Sequence, residues 1–195
     1  MTKPLILVTN DDGITAPGLR ALIGFMMELG EVVVVAPDSP QSGMGHAITI
    51  DNTLYIKKIK VDLENGATEE YSCSGTPADC VKLGLQELLK RKPDLCVSGI
   101  NHGSNSSINV IYSGTMSAAI EAGIEGIPAI GFSLCDYSWN ANFEASKEAV
   151  QKIVREALSN GIPNGVVLNV NIPKTDNKAP KGIKICRQAR ANWKE

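Results

Sequence analysis

Leu5-Ile6-Leu7-Val8-Thr9 is a short uninterrupted apolar run, and it ends abruptly in Asn10-Asp11-Asp12-Gly13. An apolar run of this length reads as a strand buried on both faces, the mark of a parallel sheet in an α/β protein. In open α/β folds, ligands bind at the carboxyl ends of the strands. Two adjacent carboxylates therefore sit where a site is expected. Side by side and partly buried they repel each other, unless a cation or a proton resolves the conflict. A divalent metal is the simplest resolution. The plainer alternative is a helix N-cap and turn, with Gly13 supplying the bend; one acid would suffice for that.

The rest of the chain alternates strand and helix. Leu19, Leu22, Ile23 and Met26 recur at helical spacing, and Gly30 is the expected C-terminal cap. Glu31 to Ala36 reads as a second buried strand, followed by a turn-rich loop from Pro37 to Gly45. Residues 47–61 alternate apolar and polar, with Asp51-Asn52 as a turn. They predict a β-hairpin extension, with a short strand following near Glu70 to Cys73. Thr76, Pro77 and Asp79 form a capping box before a helix with Val81, Leu85 and Leu88 in its core stripe. Strands are expected at Asp94 to Ser98, Ile127 to Leu134 and Val166 to Ile172, and helices from near Thr115 and over Phe143 to Leu158. Lys174 to Pro180 reads as an exposed loop, and Gly182 to Ala189 as one more strand. This order predicts a three-layer α/β/α Rossmann-like sandwich with a mostly parallel sheet and a hairpin extension, one domain over 1–195.

Composition narrows the function classes. The net charge of −2 argues against a stable nucleic-acid complex, which usually needs a strong basic excess. No apolar stretch approaches a membrane span, and no secretory signal precedes the first strand. Five widely spaced cysteines without a C-x-x-C pair, and only two histidines, make zinc a poor fit and suggest reduced thiols in a cytoplasmic protein.

Four segments fall at strand ends or helix starts: Asn10 to Gly13, Ser39 to Gly45, Ser98 to Gly103, and Ser113-Gly114-Thr115. Their carboxylate, hydroxyl and amide oxygens are hard donors suited to Mg²⁺, Mn²⁺ or Ca²⁺. A helix starting at Ser-Gly-Thr offers backbone N–H groups to a phosphate. Metal beside an oxyanion cradle suggests phosphoester hydrolysis. Each piece alone has a bland alternative: Ser113 as a cap, Gly99 and Gly103 as turn glycines, Ser42 as a surface serine.

Together the motifs LVTNDDGITAPG from Leu7, VVVAPDSPQSGMGHAIT from Val33, SGTPADCVKLG from Ser74, VSGINHGSN from Val97 and YSGTMSAAIEA from Tyr112 resemble the survival protein E (SurE) family of metal-dependent nucleotidases, with further similarity at RQARANW from Arg187. The resemblance implies metal ligands at Asp11, Asp12, Ser42 and Asn101. It implies a phosphate side formed by Asn10, Gly43, Ser104, Ser113, Gly114 and Thr115, with Asn101 also near the substrate. It implies one divalent ion per subunit, and phosphate release from nucleoside 5′-monophosphates, with 3′-nucleotides and short polyphosphate as further substrates.

The expected mechanism is attack on phosphorus by a metal-bound water, with Asp11 or Asp12 also orienting or deprotonating it. Family members continue beyond the position of Glu195 through a hairpin and helix used in assembly as homodimers or homotetramers. His102 has two readings, contact with substrate or, favoured, exposure to solvent; His46 is equally open, with holding the loop that carries Ser42 as one of its readings. A phosphoacceptor receiver domain is the alternative; it also pairs acids after the first strand but needs a third aspartate where this chain has Ser98-Gly99-Ile100-Asn101. A dinucleotide-binding Rossmann domain lacks support, because the first turn has no G-x-G-x-x-G. Seven basic residues between Lys174 and Lys194, against Asp176 alone, form a basic tail suited to steering anions.

Overall fold

The computed structural model describes residues 3–59, 69–138, 140–175, 178 and 180–191. Seven strands form one sheet: β1 (Leu5–Thr9), β2 (Glu31–Pro37), β3 (Ile56–Ile59), β4 (Glu69–Cys73), β5 (Leu95–His102), β6 (Ala129–Cys135) and β7 (Leu168–Pro173). Their order across the sheet is β3-β4-β2-β1-β5-β6-β7. Every pairing is parallel except β3 with β4. The chain runs from β1 outward to β2, then returns to place β5 on β1's other edge. That reversal makes the carboxyl end of β1 the topological switch point, the place where open sheets of this kind bind their ligands.

Alternation along β1 divides the core in two. Ile6 and Val8 face α1 (Pro17–Met27) and α4 (Lys147–Asn160), packing with Leu19, Leu22, Met26, Val150 and Val154. Leu5 and Leu7 face α2 (Pro77–Leu83) and α3 (Gly114–Ile124), packing with Cys80, Val81, Met116, Ala118 and Ala122. All five β1 residues are buried. At about 1.5–3 kcal/mol for each large apolar side chain, they form a strongly stabilised centre. The α/β/α sandwich expected from the sequence is the fold observed.

Local signals held in several places. The Thr76–Asp79 capping box is complete, and Gly13 takes the positive φ its turn requires (φ 99°). The helix expected through Leu88 does so by widening into a π-helical turn at Gly84–Leu88. The last helix begins as a 3₁₀ turn at Phe143–Ser146.

Four expectations need correction. Residues 47–55 form no strand: Thr76 Oγ1 donates to the Ala47 carbonyl and the Thr49 amide and hydroxyl donate to Asp79, while Tyr55 is bonded to Ser74 beside the start of β3. The hairpin is β3 with β4, and Asp51-Asn52 is only a bend; Val61 lies outside the described residues. Gly182 to Ala189 forms no strand; Ile183 and Ile185 are exposed and meet no sheet edge. Lys174 to Pro180 is only partly described. Gly30 is not a left-handed cap. It is required because a Cβ there would lie 2.4 Å from the Pro4 carbonyl oxygen. Finally, β5 continues past Ser98 to His102, with a register shift between Ser98 and Asn101.

Gly18 shows how closely α1 is seated beneath the switch point. A Cβ there would come within 2.0 Å of the Ile100 carbonyl oxygen and 3.0 Å of Phe143. Alanine favours a helix interior by about 1 kcal/mol over glycine. The clash with backbone outweighs that preference, so Gly18→Ala should destabilise the fold by roughly 1–3 kcal/mol; urea unfolding measures it, and an unchanged or raised midpoint would contradict this packing.

Candidate active site

Most of the residues singled out in the sequence follow the carboxyl ends of β1, β2 and β5 or stand at the start of α3, while Ser104 lies further out. Asn10, Asp11 and Asp12 leave β1 directly, and none of them caps α1, whose N-cap is Ala16 without a side-chain bond. The turn is internal: Asn10 Nδ2 donates to the Gly13 carbonyl (3.0 Å), and the Ile14 amide donates to Pro37 at the end of β2 (2.8 Å). The loop after β2 is drawn to the same point, because the Gln41 amide donates to the Asp11 carbonyl (2.7 Å). Ser42 and Gly43 follow, exposed, with Gly43 at φ 73°.

The start of α3 closes the other side. Thr115, fully buried, donates its hydroxyl to Asp11 Oδ1 (2.5 Å). Ser113 caps the helix, accepting from the Met116 amide (3.0 Å). Both hydroxyls of this segment are thus engaged within the protein, as are the Met116 amide on Ser113 and the Thr115 amide on Asp11, which leaves Gly114 to offer the first-turn N–H that faces an anion. Gly114 lets the helix approach: a Cβ there would stand 2.6 Å from Asp11 Cβ and 2.9 Å from its Oδ2.

From β5, the His102 amide donates to Asp12 Oδ2 (3.4 Å), while the exposed ring bonds the Ser138 carbonyl (2.7 Å) and meets the edge of Phe143. Asn101 turns its Nδ2 onto the Gly103 carbonyl (2.8 Å), which leaves its Oδ1 as an available donor atom. Ser104 lies further out, where its hydroxyl contacts Ser106 (2.9 Å) and Asn171 (3.2 Å) and its amide donates to the Tyr137 hydroxyl (3.1 Å).

The electrostatics concentrate on the two aspartates. Burial, reinforced by the charge of Asp12, pushes the Asp11 carboxyl up to about 6, although the Thr115 hydroxyl and amide oppose the shift. Burial likewise raises Asp12, opposed by the His102 amide. Among the described residues no lysine or arginine pairs with either acid. Asn10 Oδ1 is buried without a hydrogen-bond partner among those residues. Beneath them the hydroxyls of Thr9 and Ser98, register partners on β1 and β5, are similarly unpartnered. Two acids pushed toward protonation, an orphaned amide oxygen and a glycine-opened cradle all fit a hard divalent cation.

Several supporting residues carried no sequence signal. Asn105 is buried and ties the loop after β5 to Ser133, and Asn171 accepts from the Asn105 amide (2.9 Å). Asn169 donates to the Asn105 carbonyl (2.8 Å). The N-x-N alternation of Asn169 and Asn171 on one face of β7 is the only hint of this network. A cavity of about 240 Å³ lined by Asp136, Ser138, Ser146 and Lys174 lies beyond the His102 ring and holds none of the expected site residues.

These features define a class: a doubly wound α/β protein whose switch point is furnished with paired carboxylates and an open helix start. The family model of survival protein SurE matches residues 6–195. A protein named 5′-nucleotidase SurE from Flavobacterium psychrophilum is 71% identical over 195 residues, covering 100% of this chain and 75% of that one. Its namesake from Bacteroides thetaiotaomicron is 51% identical over 191 residues, covering 98% and 72%. The crystal structure of the SurE protein from Aquifex aeolicus aligns with TM-score 0.86 at 44% identity, over 96% of this chain and 73% of that one. The chain belongs to the SurE family.

The raised Asp11 carboxyl has a thermodynamic consequence. Without metal, the native state binds a proton there more tightly than the unfolded chain, so stability falls as pH rises from about 4 to about 6 and stays lowered above. Asp11→Asn removes that penalty while keeping an acceptor for Thr115. In chelator at pH 7.5 the variant should be more stable by up to about 3 kcal/mol, and the gain should vanish toward pH 4. Denaturant titration at both pH values checks the sign; equal stability at pH 7.5 would contradict the burial of a charge.

Proposed function

We propose that this chain is a divalent-metal-dependent phosphomonoesterase acting on nucleoside 5′-monophosphates, with the cation held by Asp11, Asp12, Ser42 and Asn101. Nucleotidase activity is the activity named for relatives that match its full length at up to 71% identity. The observation that carries the metal site is the pair of acids at the switch point, both displaced toward protonation and lacking a basic partner among the described residues. A bound Mg²⁺ or Mn²⁺ would neutralise that pair, lower the pKa of a water and draw charge from the phosphoryl oxygens.

The chain's own groups would do the rest. Asp11 is immobilised by Thr115 and by the close approach of Gly114, which suits it to hold charge at a fixed point. Asp12, more open and anchored on one oxygen by the His102 amide, is the better placed to orient an attacking water or accept its proton. The N–H groups of Gly114, at the start of α3, and of Gly43 would receive the phosphoryl oxygens. Asn10, Ser104, Ser113 and Asn101 would shape the substrate side. We further place the protein in the cytoplasm. Its five free cysteines support that compartment, and no helix among the described residues is long and apolar enough to cross a membrane.

Inorganic phosphate release from 5′- and 3′-nucleoside monophosphates tests this, with Mn²⁺ or Mg²⁺ and again with chelator. Release should require the metal and favour 5′-substrates, and Asp12→Asn should lower turnover by about 10³-fold or more while leaving thermal unfolding intact. Turnover that survives chelation, or a folded Asp12→Asn with near-parental activity, would overturn the assignment.

A further inference from the structure

We infer that His46 is a positioning residue for the metal site, acting through Glu121 to fix the loop that presents Ser42. The inference rests on the metal-site reading above and extends it to a residue outside the ligand set. The loop from Asp38 to Thr49 is tethered at separated points. At its near end the Gln41 amide donates to Asp11. At its far end Ala47 and Thr49 are bonded to Thr76 and Asp79 on α2. Between them, Ser42, Gly43 and Met44 are exposed, and among the described residues backbone contacts steady the span: Met44 to Gln41 (3.4 Å) and Gly45 to Tyr112 (3.3 Å). Both are long.

The strong tether beside this span is His46 Nε2 on Glu121 Oε2 at 2.7 Å. Glu121 is almost wholly buried on α3, and its other oxygen accepts from Lys82 of α2 at 2.8 Å. Lys82 also reaches Glu125 at 3.7 Å, so the groups facing the Glu121 carboxylate are His46 and Lys82, with Glu125 behind the lysine. Burial favours protonation of Glu121, but the hydrogen bonds from Lys82 and His46 outweigh it and hold its carboxyl below the usual range. It is therefore a fixed, ionised anchor at neutral pH.

The helix connects the two halves of the site. Glu121 lies six residues beyond Thr115, about 9 Å along the same helix. Thr115 holds Asp11 and Glu121 holds the loop bearing Ser42, so α3 acts as one bar that sets the separation of two proposed ligands. Outer groups that orient metal ligands typically matter by 10–100-fold in affinity.

Direct Mn²⁺ titration, following the free-ion paramagnetic resonance signal, tests this without recourse to activity. His46→Ala should weaken Mn²⁺ binding by about 10-fold or more. His46→Gln, whose amide can still donate to Glu121, should bind within about 3-fold of the parent. Both variants should melt in chelator within a few degrees of the parent, since His46 lies outside both hydrophobic cores. Parental affinity in His46→Ala, or equal weakening in both variants, would overturn the inference. An Asp12→Asn protein that binds Mn²⁺ like the parent would instead overturn the metal site itself, and the role of His46 with it.

Discussion

Everything at this site depends on an unfavourable contact: two carboxylates placed next to each other at the end of the most buried strand in the sheet. β1 is covered on both faces, so the backbone that delivers Asp11 and Asp12 cannot relax away from the sheet. Among the described residues no basic side chain relieves the repulsion. The protein surrounds Asp11 with the Thr115 hydroxyl and brings the His102 amide to Asp12, partial remedies that leave both acids displaced toward protonation. Hydrogen bonds fix the geometry, and the remaining charge imbalance is what suits the place to the proposed cation. On the proposed reading, stability of this point of the fold is given up for function, the usual relation at strained sites.

Position in the sheet explains why the remaining donors arrive there. With β1 central, β2 and β5 flank it, so the loops after all three strands meet above one point. The loop after β2 brings Ser42, the extension of β5 brings Asn101 and His102, and the α3 start enters from the face that covers Leu5 and Leu7. Glycines at Gly18 and Gly114 set the approach of α1 and α3 to within contact of Ile100 and Asp11. The scaffold and the chemistry are therefore coupled through close packing, and small volume changes beneath the site are felt at the acids.

Much of this was legible in the chain because the signals are local. The β1 run and its abrupt Asn-Asp-Asp-Gly end identify both the buried strand and the place of the acids. The capping box at Thr76 needs only four residues to be recognised, and Gly13 takes the conformation its turn demanded. Signals failed where distant partners decide the outcome. The alternation after Ala47 resembles a hairpin arm, yet Asp79 and Thr76 on α2 satisfy its backbone instead. The Ile-Lys-Ile pattern after Gly182 resembles a strand, yet no sheet edge receives it. The Asn105–Asn169–Asn171 network spans 66 residues of sequence from Asn105 to Asn171, and amide side chains carry no periodic mark.

The contrast between His46 and His102 shows why residue type alone could not rank them. Both lie in loops beside proposed ligands, and both bond through Nε2 at 2.7 Å. His102 bonds a backbone carbonyl in an exposed segment, and it is its amide, not its ring, that reaches Asp12. Any residue other than proline supplies that amide, so the ring can be replaced without removing the contact. His46 bonds a buried carboxylate on the helix that also fixes Asp11. There the side chain itself completes the link between the two halves of the site, and the chemistry of that position is constrained by Glu121, 75 residues away.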